Sequence, residues 1–290
     1  KEESIMQIYT HTLPSGAQLI GYLRDRTVEM PAFNTRPAIL ILPGGGYAWC
    51  SKREADPVAM QFLQAGYNVF TLYYTCRSDE TVPALRWQPL IDAAGAILHI
   101  RRNAEQFGTD PAKIAICGFS AGGHLAASTA ILWDAEPVQT ALGIHGTEAR
   151  PDAVVLGYPV ITADPMWAHL GSINALTGTE QRTAEEIAKF SCDKQVRADT
   201  PPAFLWHTAA DSTVPVANSL LYVQALAANK IPFELHVYPF GDHGLATCDD
   251  QTLERPTAVH AYDHAWLDAA KKWLRLSFKT KANGSSAESN

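Results

Sequence analysis

A chain of 290 residues is long for one domain but within the usual range of a single α/β unit. Its 47% hydrophobic and 18% charged residues describe a globular protein with ample core, and a net charge of −7 argues against nucleic acid or an anionic membrane as the main partner. No apolar run approaches the roughly 18–20 residues that a membrane-spanning helix needs.

The N-terminal stretch KEESIMQIYTHTL lacks the apolar segment of a signal peptide. Met6 is a candidate natural start, with Lys1 to Ile5 a remnant of cleavage or cloning; a signal already removed would leave no trace. The five cysteines, Cys50, Cys76, Cys117, Cys192 and Cys248, are odd in number and scattered. That is no disulfide framework, and it favours a reducing, cytoplasmic setting over secretion.

Gln18 to Leu23 reads as a first strand, with Leu19, Gly21 and Leu23 on one face. A polar connection from Arg24 to Pro37 precedes Ala38 to Leu42, a continuous apolar run expected of a strand covered on both sides. It ends at Pro43-Gly44-Gly45-Gly46-Tyr47. Pro57 to Ala65 has helical spacing, with Gly66 as its stop. Asn68 to Tyr74 is a strand, and Pro89 opens a helix that carries Ile91, Ala94, Ile97 and Leu98 and runs out near Gly108. Ile114 to Cys117 is a short buried strand followed by a tight turn and a helix. Val154 to Gly157 is another short strand. The pattern then loosens from Val160 to Thr200, where a small cap insertion (160–200) is expected, with a capping box at Thr183 and Glu186. Ala203 to Thr208 resumes as a strand, and Ser219 to Asn229 as a helix. Phe233 to Tyr238 alternates as a strand nearer the sheet edge, and Tyr262 to Phe278 closes the fold as an amphipathic helix. Lys279 to Asn290 has no periodicity and reads as a disordered tail. Strands alternating with helices predict one α/β domain over 1–278, with a mainly parallel sheet and helices on both faces.

The chemistry centres on Gly118-Phe119-Ser120-Ala121-Gly122, a G-x-S-x-G pattern with a strand before it and a helix after. The turn must be sharp enough to strain the serine, and side chains at Gly118 or Gly122 would collide there. A hydroxyl is a poor nucleophile at neutral pH and needs a base. Among ten histidines His243 is best placed, in a Gly-Asp-His-Gly turn after the last strand. Asp211, in the loop after the preceding strand, is the acid; Asp242, beside the histidine, ranks below it. The order Ser120, Asp211, His243 is that of α/β-hydrolases. The developing oxyanion needs preorganised N–H donors, expected from Ala121 and from Gly45 and Gly46. Chemistry in such sheets gathers beyond the carboxyl ends of the strands, where all four of these loops fall.

Tyr47, Trp49 and His124 are candidate substrate contacts. Trp49, nearest the glycine loop, is the foremost candidate to stack on a sugar, ahead of Trp87 and Trp206, although tryptophans more often serve the core. His124, which follows the elbow, suits a helix or pocket-wall role better than that of a base. His260 and His264 have a zinc-like spacing, but Ala261 replaces the glutamate of H-E-x-x-H, so no metal is expected. No lysine-serine or lysine-threonine pair follows the glycine run, so it is no phosphate loop, and no cofactor is expected.

PGGGY, KREADPVAMQFLQAGYNVFTLYY, GTDPAKIAICGFSAGGHLAA, LGYPVIT, HTAADSTVPVANSL and GDHGL together resemble bacterial α/β-hydrolases of the carbohydrate (acetyl xylan and acetyl-feruloyl) esterase group. The similarity runs from about Tyr9 to Leu276. It implies the single-domain α/β-hydrolase fold and hydrolysis of short-chain esters on xylan-derived or other carbohydrates by Ser120, Asp211 and His243. The chain is also similar to the hormone-sensitive-lipase group at GxSAGG, but Phe119 and Pro43 replace that group's usual aspartate and histidine. The expected partner is a small-molecule or oligosaccharide ester, with no nucleic acid and no membrane; the oligomeric state stays open. A serine peptidase of the prolyl-oligopeptidase type and a non-catalytic binding protein on the same fold are the alternatives.

Overall fold

The apolar run beginning at Ala38 lies near the middle of the sheet, where burial on both faces requires it to be apolar throughout. The computed structural model describes the backbone of residues 6–287 and side chains as far as residue 279, so Lys1 to Ile5 and residues 288–290 lie outside the described residues. Eight strands are described: β1 (Met6–Thr12), β2 (Gln18–Arg24), β3 (Arg36–Leu42), β4 (Asn68–Tyr73), β5 (Thr109–Phe119), β6 (Ala153–Gly157), β7 (Ala203–Thr208) and β8 (Phe233–Tyr238). They pair in the order β1-β2-β4-β3-β5-β6-β7-β8, antiparallel in the first two pairings and parallel in the rest.

Ten helices accompany them: α1 (Asp56–Gln64), α2 (Gln88–Arg102), α3 (Ala104–Phe107), α4 (Ser120–Leu132), α5 (Glu136–Leu142), α6 (Leu170–Thr177), α7 (Ala184–Lys189), α8 (Ala217–Ala228), α9 (Ala258–Asp263) and α10 (Ala265–Ala287). Side chains alternate across β3, so Leu40 and Leu42 join the core under α2, α4 and α8. Ile39 and Ile41 join the opposite core, with Val58 and Phe62 of α1 and Trp266, Trp273 and Leu274 of α10. Helices therefore cover both faces.

Three expectations change. The strand at Gln18 is the second: β1 precedes it and pairs with it from Met6 opposite Arg24 to Thr12 opposite Gln18. As an edge strand, β1 half-covers only Tyr9 and His11 and leaves its other residues exposed, so its apolar pattern is weak. The closing helix is two helices, α9 and α10, meeting at His264. And α10 continues past Phe278 to Ala287, a backbone helix through a stretch with no apolar period to signal it. The capping box at Thr183 and Glu186 forms with both of its bonds.

The connection from β3 through α1 to β4 runs to one side, and the one from β4 through α2 to β5 returns across to the other. β3 and β5 are neighbours, with Leu42 opposite Gly118. Their carboxyl ends flank the point where the winding reverses, the usual place for a crevice in such sheets. Residues 160–200 lie above that end and hold α6 and α7 around a small core of Val160, Ala163, Ile173 and Val214. All five cysteines are free thiols. Among the described residues no helix is long and apolar enough to cross a membrane.

Candidate active site

Ser120 occupies the turn between β5 and α4 with φ 53°, a left-handed conformation that costs a non-glycine residue on the order of 1–3 kcal/mol. Its neighbours show what enforces it. A Cβ on Gly118 would lie 2.1 Å from the Gly122 carbonyl oxygen, and one on Gly122 would lie 2.2 Å from that of Leu42 and 2.4 Å from that of Pro43. The turn is thus clamped between its own helix and the end of β3. Burial leaves Ser120 only 7% exposed.

His243 reaches the serine from the loop after β8. Its Nε2 is 2.8 Å from Ser120 Oγ, and its Nδ1 is 2.6 Å from Asp211 Oδ2. Asp211, in the loop after β7, is held by the backbone N–H groups of Thr213 and Val214, each donating to Oδ1 over 2.9 Å. Burial pushes its carboxyl up. Hydrogen bonds from His207 and His243, the charge of His243 and the Val214 N–H outweigh burial and hold it well below the usual carboxylate range. Asp242 is exposed and stands outside this line.

The glycine loop lies directly against the serine. A Cβ on Gly44 would meet Ser120 Cβ at 2.9 Å. Gly45 and Gly46 have φ 122° and 66°, and among the described residues neither N–H has an acceptor in the chain. The Ala121 N–H belongs to the first turn of α4, where helix geometry leaves donors unpaired. The Tyr74 hydroxyl donates to the Pro43 carbonyl over 2.6 Å and braces the base of the loop. A strained serine, an imidazole held by an ionised carboxylate and free N–H donors beside them are the parts that acyl transfer through serine would require.

The three candidate substrate contacts separate. Trp49 is 64% exposed and lines an open groove of about 320 Å³ with Gly45, Gly46, Arg77, His169 and Asn174. Tyr47 and His124 are buried and hydrogen-bonded to each other, Tyr47 Oη to His124 Nδ1 at 2.9 Å. His124 Nε2 lies 2.9 Å from the Phe190 carbonyl, so that nitrogen carries the proton and Nδ1 accepts from the tyrosine. Burial, only partly opposed by that carbonyl, pushes the His124 pKa down to about 4. The pair lines a small cavity of about 30 Å³ behind the elbow, with Trp87, Leu90, Leu125 and Phe190. Trp206 is fully buried and stacks on Trp266 with ring centroids 5.0 Å apart, so it is core and not available to a sugar. His260 caps α9 with Thr257, and His264 Nδ1 donates to the Thr247 carbonyl. Among the described residues no cluster of three or more His, Cys, Asp or Glu is placed to hold a metal ion.

Four residues near the site were not singled out from the sequence. His207, at the end of β7 and fully buried, presents Nε2 to the Val214 carbonyl at 2.9 Å and to Asp211 Oδ2 at 3.3 Å. Both are acceptors, so Nε2 carries a proton and reinforces the carboxylate. His169 precedes α6, its Nδ1 taken by Ser172, and lowers into the groove from residues 160–200; burial and then the charge of His243 hold its pKa below the ordinary value. Glu54 and Tyr158 lie behind the glycine loop and the histidine. Of the four, only His207 had a signal, as a polar residue directly after the apolar run Ala203 to Trp206.

The signature of the BD-FAE family matches residues 28–226. The chain is 41% identical over 233 residues to an endo-1,4-beta-xylanase B of Butyrivibrio fibrisolvens, covering 80% of this chain and 35% of that protein. To an acetylxylan esterase of Xylanibacter ruminicola it is 31% identical over 212 residues, covering 71% and 40%. It spans less than half the length of either of these two curated relatives. Among solved structures it is similar to the acetyl ester-xyloside bifunctional hydrolase from Caldicellulosiruptor lactoaceticus, with a TM-score of 0.74, 34% identity and coverage of 91% and 89%.

Proposed function

The chain belongs to the BD-FAE family and has the α/β-hydrolase fold, and from that premise we propose that it is a serine carboxylesterase acting on short-chain, chiefly acetyl, esters of xylan-derived or other carbohydrates. The observation that carries the reading is the unbroken line from Ser120 Oγ through His243 to Asp211, at 2.8 and 2.6 Å, ending on a strained serine beside free backbone donors. The relatives named above supply the choice of ester.

In this reading Ser120 Oγ attacks the ester carbonyl carbon as its proton passes to His243 Nε2. The carbonyl oxygen gains the negative charge and is received by the N–H groups of Gly45, Gly46 and Ala121. Asp211 keeps the His243 proton on Nδ1 and stabilises the imidazolium. Collapse breaks the bond to the alcohol oxygen, which leaves with the proton from His243, and the acetyl group stays on Ser120. A water then gives its proton to His243 and attacks the acyl carbon. Acetate leaves, and the proton returns to Ser120 Oγ. The groove beside Trp49 and His169 is where the alcohol portion of the substrate would lie, with Trp49 offering a face to a sugar ring.

Release of p-nitrophenol from its acetyl ester, abolished in Ser120→Ala, tests the reaction. A panel of acetyl, butyryl and feruloyl esters and acetylated xylan tests the substrate. Cleavage of an aminoacyl-proline amide with negligible ester turnover would replace this reading with a peptidase.

A further inference from the structure

Glu54 is not part of the line through Ser120, yet it touches the elements on both sides of it. Its side chain is buried, at 4% exposure. Oε2 accepts the N–H of Gly44 over 2.7 Å, and Oε1 accepts the hydroxyl of Tyr158 over 2.7 Å. The Tyr158 oxygen in turn accepts the N–H of Ala246, three residues past His243, over 2.9 Å. The Tyr158 ring packs edge-on against the His243 imidazole, with centroids 4.8 Å apart. Next to Glu54, Arg53 donates to the Gly244 carbonyl over 2.9 Å. One short 3-10 turn, Lys52–Glu54, therefore holds the glycine loop with one residue and the histidine loop with two.

A buried carboxylate is destabilising unless its oxygens are satisfied, and these are satisfied by groups whose positions matter for the reaction. The approach to Gly44 is close: a Cβ there would lie 2.6 Å from Oε2. Tyr158 pays for its place with φ 35°, a strained backbone just beyond β6.

We propose that Glu54 is a positioning residue, which through Gly44 and through Tyr158 fixes the glycine loop and His243 relative to each other and to Ser120. It contacts no reacting atom, and the inference rests on the esterase reading above. Donors and base must sit within a few tenths of an ångström of their working places, and two loops from distant parts of the chain have no other shared buried anchor among the described hydrogen bonds.

The test is Glu54→Gln, which keeps the volume but accepts on one oxygen only and turns an amide N–H₂ toward the other partner. On p-nitrophenyl acetate, with rates normalised to sites titrated by a fluorophosphonate, kcat is expected to fall about 10- to 100-fold while KM changes less than about threefold. Tyr158→Phe removes only the arm to the histidine loop and is expected to lower kcat about five- to tenfold, again with KM nearly unchanged. In the double variant the losses should combine to less than their product, because both residues act through one bridge. A kcat for either single variant within about twofold of wild type, or multiplicative losses, would overturn the proposal. If Glu54→Gln does not fold, the Tyr158→Phe rate alone decides. Full activity in Ser120→Ala would instead remove the esterase reading itself, so the two failures are distinguishable.

Discussion

Replacing Asp211 by asparagine tests the hydrogen-bond line at its buried end. The carboxylate serves four donors: Oδ1 takes the N–H groups of Thr213 and Val214, and Oδ2 faces the rings of His243 at 2.6 Å and His207 at 3.3 Å. An asparagine has one acceptor oxygen. If it stays on the two backbone N–H groups, its N–H₂ confronts two ring nitrogens, and His207 Nε2 is bound to keep its proton by the Val214 carbonyl. His243 then accepts the amide by moving its own proton to Nε2, where it points at Ser120 Oγ and can no longer take the serine's proton. If the asparagine flips, the Thr213 N–H and the buried Val214 N–H lose their acceptor. Either outcome leaves an unsatisfied buried group, at about 1–3 kcal/mol of stability. The wrong tautomer should lower kcat about 10⁴-fold, or roughly 5 kcal/mol of barrier. Turnover of p-nitrophenyl acetate measured beside urea unfolding separates the two losses. A kcat within about tenfold of wild type would refute the reasoning and show that Asp211 is not the group that orients His243.

Two further expectations follow from burial and crowding. His124 has a folded-state pKa of about 4, below the roughly 6.5 of an unfolded histidine, so its contribution to stability is complete above about pH 6.5 and is lost as pH falls from there toward 4, on the order of 3 kcal/mol in all. Urea unfolding over that range should show a shallower pH dependence in His124→Gln than in wild type, and parallel curves would contradict it. Gly118→Ala places a methyl group 2.1 Å from the Gly122 carbonyl oxygen and 2.8 Å from Ala126 Cβ, and should destabilise by about 3 kcal/mol or more with loss of esterase activity. An unchanged urea midpoint would mean that the elbow relaxes freely.

The fold was legible wherever burial imposes a simple pattern. Ala38 to Leu42 and Ile114 to Cys117 are apolar because helices cover both of their faces at the centre of the sheet, and Ala203 to Trp206 of β7, one strand in from the edge, are covered in the same way. At the margins that pressure is absent. β1 hides little of itself, and α5 and α6 lie outside the regular alternation of strand and helix, so none of the three announced itself. The candidate site residues were picked out through local turn chemistry at strand ends, and the structure brings Ser120, Asp211 and His243 within hydrogen-bond reach of one another. Glu54 shows the limit. It is the third of three consecutive charged residues, Lys52, Arg53 and Glu54, and such a run reads as a solvated turn. Lys52 and Arg53 are indeed exposed; only the contact of Glu54 with Gly44 and Tyr158, 104 residues further on, buries it.

Backbone strain divides the site in a way that bears on specificity. The left-handed residues Tyr47, Ser120 and Tyr158 follow the ends of β3, β5 and β6, three adjacent strands. Such conformations persist only where rigid surroundings over-determine them, and here the surroundings are the close-packed carboxyl edge of the sheet. Ser120 and the glycine loop are therefore fixed by the part of the fold least free to vary. His169 and Asn174 of the groove come from residues 160–200, and Trp49 and Arg77 from loops beyond β3 and β4. These positions carry side chains on the rim and little of the main core, so substitutions there can reshape the groove without disturbing the elbow. A variant library confined to Trp49, Arg77, His169 and Asn174 should accordingly redistribute rates across the ester panel while fluorophosphonate labelling of Ser120 persists.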